Sequence, residues 1–200
     1  MKTPMKLPVI ILAGSFFIAA AILFTKNTPI INEKKEERRE KRVISVVVDF
    51  IQKDANNTDR QTLEQVVTAI YRASKKKGID YRMVLALAKV ESNFRNDAIS
   101  PKGARGLLQI KPSVAEGIAK DLGIKLNSKK SLHEFEKNII IGTHILSSLI
   151  EEFYDIHGAL SAYNMGQTKL LEQSTNDYRT KFSKAVLREY KRYMEILPDP

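Results

Sequence analysis

The stretch Leu7–Phe24, "LPVIILAGSFFIAAAILF", runs for eighteen residues without a charge. Nothing else in the chain restricts its conformation as strongly. The run reaches the short end of the range of about 17–25 residues that crosses a bilayer as a helix. Lys2 and Lys6 precede it and favour an N-terminus left in the cytoplasm, while Lys34 and Lys35 beyond it pull the other way. Ala19-Ala20-Ala21 mimics a signal-peptide cleavage site, but Ile22-Leu23-Phe24 continue the apolar run past it. The expectation is an uncleaved single-pass anchor over residues 1–25 in the cytoplasmic membrane, with a cleaved signal peptide as the alternative. Both place residues 43–200 on the periplasmic, extracytoplasmic face.

Residues 26–42, "KNTPIINEKKEERREKR", are a charged tether with too few apolar side chains to bury itself. The remaining residues, 43–200, suit one domain. There is no Cys, which excludes a disulfide scaffold and a cysteine nucleophile. The net charge of +10 fits nucleic acid, anionic lipid or an acidic polymer alike. Aromatic residues do not interleave with the charges as in a single-strand groove, so no nucleic-acid partner is expected.

From Val43 onward the apolar spacing is helical and no strand pair stands out, so the class is all-α. "VISVVVDFIQ" is β-branched and reads as a strand when taken alone; its length and helical neighbours favour a helix. Thr58 and Gln61 have capping-box spacing, and Gly78 closes the helix they open. Asp80 caps the next helix. "SPKGARG" is a loop, and Pro112 opens another helix that Gly123 closes. Leu132–Tyr154 is apolar enough to be the central buried helix. "HGALSAYNMG" is a short helix broken at Gly166, and a last helix covers Asp177–Leu197.

Within the helix after Asp80, Glu91 ends an apolar run, Met83–Ala88, interrupted only by Lys89. Arg82, Ala86, Lys89 and Asn93 share one mostly polar face. Glu91 lies opposite, above Val84, Leu87 and Ala88, where the core should be. A carboxyl on an apolar face loses hydration of its charged form, holds its proton to higher pH and can act as a general acid. An ion-paired glutamate, or one exposed at a helix end, is the structural alternative.

The segment "ESNFRNDAISPKGARGLLQIKPSVA" resembles the signature of the lytic transglycosylases of the soluble-transglycosylase (SLT) type, lysozyme-like enzymes that cut peptidoglycan. Glu91-Ser92 correspond to the Glu-Ser pair that ends a helix, and Ser100–Gln109 to the Ser-Pro-x-Gly-Ala-x-Gly-Leu-Met-Gln loop, with Leu108 for the usual Met. Asn138-Ile139 with Gly142 match an Asn-Ile…Gly element, although Ile145 stands where the family often has Tyr. Ala162-Tyr163-Asn164-Met165-Gly166 match Ala-Tyr-Asn-x-Gly, followed here by Gln167-Thr168 rather than Pro-Gly. The likeness covers about residues 70–190.

The resemblance implies a goose-type, lysozyme-like helical domain in which Glu91 is the catalytic acid and base. It implies cleavage of the β-1,4 bond between N-acetylmuramic acid and N-acetylglucosamine without water, leaving a 1,6-anhydro end. The implied substrate-binding residues are Ser92, Gly106, Leu108, Gln109, Tyr163 and Asn164. Tyr163 would hydrogen-bond Glu91 or the sugar, Asn164 would fix its turn, and the glycines would let a glycan approach. Tyr178, with Phe182 as the alternative, fills the family's aromatic position at the last helix. No metal or cofactor is expected, since His133, His144 and His157 lack ligand spacing. Peptidoglycan strands are the expected partner, and wall turnover, division and service to a wall-spanning secretion or conjugation machine stay open. Two rivals stand beside this reading. One is a hydrolytic muramidase in which Asp97 positions a water; the other is a non-catalytic wall-binding scaffold.

Overall fold

The structure, a computed structural model, describes the backbone from residue 10 and side chains from residue 31, apart from 54, 56, 57 and 173–176. It divides into two compact units, residues 1–42 and 43–200. The run Leu7–Phe24, read above as an anchor, lies outside the residues whose side chains are described. Among the described residues no helix is long and apolar enough to cross a membrane.

Helix α1 spans Ile10–Ile51. Within the first unit, residues 31–42 are almost wholly exposed. Lys41 pairs there with Glu37 one turn back, at 2.6 Å, a solvent-screened surface contact that adds little.

In the second unit, Val43, Ile44, Val47, Val48 and Ile51 of α1 are buried. Their spacing makes a helical stripe, which outweighs the β-preference of the valines and isoleucines. Helix α2 (Arg60–Lys77) is capped by Asp59 rather than by Thr58; the Asp59 carboxylate accepts from the Thr62 N–H and the Thr62 hydroxyl. Gly78 ends α2 at φ 67°, a left-handed conformation. Helix α3 (Tyr81–Ser92) starts at Asp80, which accepts from the Arg82 N–H. Helices α4 (Pro112–Asp121), α5 (Phe135–Phe153), α6 (Ile156–Met165), α7 (Gln167–Leu171) and α8 (Lys181–Ile196) follow, with a 3-10 turn at Lys129–His133. The last helix begins at Lys181, capped by Thr180, later than the spacing predicts. No strand occurs among the described residues; Arg105 makes isolated bridges to Ile99 and Ile110.

Helix α5 packs against α2, α6, α4 and the 3-10 turn, as its apolar length predicts, but the most completely buried stretch belongs to α3. Every residue from Tyr81 to Ala88 is buried, with α8 and α2 packed against the helix. Helix α5 keeps an exposed edge that includes Ile140. The face of α3 expected to be solvated is buried at Arg82 and Ala86 and half-buried at Lys89 and Asn93. Arg82 is 6% exposed and forks onto Asp80, while its Nη1 reaches Asp199 at 2.9 Å. The Tyr81 hydroxyl donates to the Pro198 carbonyl at 2.6 Å. The C-terminal tail thus covers the start of α3, and a buried guanidinium is tolerable there because its donors are satisfied. The other end of α3 carries Glu91.

Candidate active site

Glu91 sits in the last turn of α3, and the chain reverses immediately behind it. Asn93 and Phe94 both adopt left-handed backbone, φ 52° and 61°. The Asn93 N–H donates to the Lys89 carbonyl and the Phe94 N–H to that of Ala88. Phe94 is 3% exposed, so its burial holds a conformation that a bulky residue would otherwise avoid.

The returning loop folds around a buried amide. Asn138, in the first turns of α5, is fully buried. Its Oδ1 accepts from the Leu108 N–H at 2.8 Å, and its Nδ2 donates to the carbonyls of Arg105 and Leu132, each at 2.9 Å. Gly106, at φ 78°, makes room for it: a Cβ there would collide with Asn138 Nδ2 and the Leu132 carbonyl. Arg105 and Ile110 exchange two backbone hydrogen bonds at 3.0 Å, closing a hairpin that presents Gln109. Gln109 is held at φ 44°, with its Nε2 donating to the carbonyls of Ala98 and Gly106.

Tyr163 of α6 joins this loop to the bundle. Its hydroxyl donates to the Leu108 carbonyl at 2.8 Å. Gly142 of α5 lets Leu108 lie close, since a Cβ at Gly142 would stand 2.6 Å from Leu108 Cδ1 and 3.1 Å from the Tyr163 oxygen. Gly142→Ala should therefore cost about 1–3 kcal/mol, the usual range for overpacking a core, and lower any activity of the site. Chemical denaturation measures the first effect; a change below about 0.5 kcal/mol would mean that Leu108 has room to move.

These elements surround a cleft of about 520 Å³. Glu91, Gln109, Ile145, Tyr163, Asn164 and Met165 line it, with Lys102, Lys111 and Lys169. Burial pushes the Glu91 carboxyl up to about 8. No cation pairs with Glu91 among the described residues, so neither structural alternative, an ion pair or an exposed helix end, describes it. Burial also raises the Tyr163 phenol, and the nearby Glu91 charge adds to that. The cleft thus holds a proton donor and one lining acid, Glu91 itself. A larger groove, about 740 Å³, runs along α2 past Leu122 to Glu136 and Ile140. The site belongs instead to the smaller cleft, which holds the buried, perturbed acid.

The structure brings Glu91, Gln109, Tyr163 and Asn164 to one cleft. The other residues singled out in the sequence lie elsewhere. Ser92 is 4% exposed and its hydroxyl turns back to the Ala88 carbonyl at 3.2 Å. Gly106 admits Asn138 rather than a glycan, and Leu108 is fully buried, contributing its backbone. The hydroxyl proton of Tyr163 goes to Leu108 rather than to Glu91. Asn164 is exposed to the cleft and makes no turn-fixing bond among the described residues. Tyr178 packs edge-on against Phe153 and lines a separate depression with Asp155 and His157. Phe182 packs against the core. Asp97 is exposed and outside the cleft lining.

Asn138 and the three lysines were not among the expected site residues. The Asn-Ile element was the available signal for Asn138, whereas nothing local distinguishes lysines that face a cleft. His133 bridges Arg105 and the Asn96 carbonyl. Among the described residues no three His, Cys, Asp or Glu side chains cluster as a metal would need.

Comparison with known proteins places this geometry. The family description "Transglycosylase SLT domain" matches residues 68–186. Membrane-bound lytic murein transglycosylase C of Edwardsiella ictaluri is 28% identical over 140 residues, 64% of this chain and 38% of that protein. Its namesake in Photorhabdus laumondii is 33% identical over 137 residues, with the same two coverages of 64% and 38%. The chain thus spans 38% of the length of these two relatives. The 70 kDa soluble lytic transglycosylase of Escherichia coli superposes with a TM-score of 0.59, over 78% of this chain and 30% of that one. At 22% identity that likeness concerns the fold alone. With the matched region running from the middle of α2 into α8 and enclosing the whole cleft, the chain belongs to the transglycosylase SLT domain family.

Proposed function

We propose that the cleft cleaves peptidoglycan as a lytic transglycosylase. The observation that carries this reading is Glu91: a carboxyl that keeps its proton to about pH 8, in a cleft lined by no second acid. The Glu91 carboxyl donates its proton to the oxygen between N-acetylmuramic acid and N-acetylglucosamine, and the C1–O bond breaks. The carboxylate left behind takes the proton of the muramic acid 6-hydroxyl, whose oxygen bonds to C1. One group serves twice, and no water enters.

Hydrolysis by glycosidases ordinarily uses a paired carboxylate as nucleophile or as base for water. Asp97, the local candidate, is exposed and away from the cleft lining, which favours the intramolecular route. The 6-hydroxyl is already attached to the reacting sugar, and good orientation gives such a group an effective concentration of up to ~10⁵ M or more. The Gln109 side-chain carbonyl, whose amide nitrogen is committed to the loop, and the Asn164 amide are neutral polar groups of the lining that can bond the sugars. Tyr163 holds the Leu108 backbone through its hydroxyl.

The catalytic unit works outside the cytoplasm, held by residues 7–24 as a single-pass anchor. The support is the uncharged run itself and the word "membrane-bound" in the names of the relatives. Digestion of purified murein by the chain tests the reaction. The released muropeptides should resist borohydride, having no reducing end. A majority of reducible ends, lost in Asp97→Asn, would make the chain a muramidase.

A further inference from the structure

Lys102 in the loop after Pro101, Lys111 before α4 and Lys169 in α7 all line the cleft that holds Glu91. All three are exposed. None of their side chains makes an ion pair or hydrogen bond among the described residues. The lining has no acid except Glu91, so nothing within it neutralises them.

Lys111 stands where local energetics disfavour it. It is the N-cap of α4, its side chain makes no capping bond, and the first turn of α4 has no acid. Ser, Asp or Asn would cap that turn, and the positive end of the helix dipole repels a cation. Helix stability does not explain a lysine there, whereas an anionic ligand in the cleft does.

Neutral sugar rings give three cations nothing to pair with. The peptide stems on muramic acid end in carboxylates and hang beside the bond to be cut. We infer that Lys102, Lys111 and Lys169 form a rim that binds stem-peptide carboxylates, so that the cleft prefers peptide-bearing strands to bare glycan. This rests on the peptidoglycan reading above. Lysine suits the task, because a point charge on a flexible stem follows a mobile carboxylate without fixed geometry. The attraction is exposed and is therefore screened by salt.

The test measures binding by the full chain carrying Glu91→Gln, which keeps strands intact. Three samples of murein free of accessory polymers are compared: unmodified, stripped of stems by an amidase, and with stem carboxylates amidated. Unmodified strands should bind about tenfold more tightly than either of the others at low salt, the sum of a few exposed pairs. That preference should vanish at high salt and in K102A/K111A/K169A, which should melt at the parent temperature because the three side chains are exposed. Equal binding to all three samples, or a preference that survives the triple substitution, would overturn the rim alone. Failure to bind any of the three would overturn the peptidoglycan reading together with it.

Discussion

Glu91→Gln should leave the chain folded and able to bind strands while cutting cleavage by about 10²–10⁴-fold, the usual worth of a general acid–base group. Glutamine keeps the shape and donates hydrogen bonds but neither delivers an acidic proton nor takes one up. The same substitution should stabilise the fold, in a pH-dependent way. The Glu91 carboxyl is raised from 4.5 to about 8. Between those values the folded chain keeps a proton that the unfolded chain has lost, so stability falls as pH rises through that window. Glutamine does not titrate, so its advantage should be near zero at pH 4.5, grow to pH 8 and then level off. Holding a proton one pH unit higher corresponds to about 1.4 kcal/mol, discounted here because Glu91 is not fully buried and opens onto the cleft. An advantage of about 1–3 kcal/mol at pH 8 is expected. Cleavage by the parent chain should decline above pH 8 as the acid form disappears. Thermal melts of both chains from pH 5 to 9 check the first statement. Full turnover in Glu91→Gln, or an advantage independent of pH, would remove Glu91 from its role.

Asn138→Ala should be the most damaging substitution that leaves the cleft lining untouched. One fully buried side chain satisfies the Leu108 N–H and the carbonyls of Arg105 and Leu132. Alanine leaves those groups without their partner, at about 1–3 kcal/mol for each that stays dry, and opens a void beside Gly106. A loss of about 4 kcal/mol is expected after partial relaxation, a large part of the 5–15 kcal/mol that holds an ordinary domain. Asn138→Asp would be no remedy, because it keeps the acceptor, loses both donors and buries a charge. The denaturant midpoint should drop with little change in slope. Cleavage should fall with it, because this loop presents Gln109 and anchors Tyr163. A loss under about 1 kcal/mol would show that the hairpin 105–110 holds its shape without the clamp.

Local chemistry made much of this fold readable. Gly78, Asp80 and Pro112 mark helix ends through interactions spanning two or three residues, and the structure keeps all three. Asp59 displaced Thr58 as a cap because adjacent candidates compete within one turn. Glu91 was conspicuous because its immediate helical neighbours are apolar. What stayed hidden depends on distant segments. Arg82 looked solvated, but distant segments bury it, and the C-terminal tail meets its guanidinium at the Leu197 carbonyl and the Asp199 carboxylate. Helix α5 has the stronger apolar pattern, yet α3 is the more completely buried because α8 and α2 cover it. Ser92 follows Glu91 in sequence, but a helical rotation of about 100° turns its hydroxyl inward. Tyr178 finds Phe153 rather than the cleft.

The central claim is that Glu91 works alone and that no water joins the products. Digesting murein with the chain in water enriched in heavy oxygen tests it directly. The new muramic acid ends should carry no label and weigh one water less than hydrolysed ends. Label in the majority of new ends would mean that water, not the 6-hydroxyl, attacks C1, and would contradict the account.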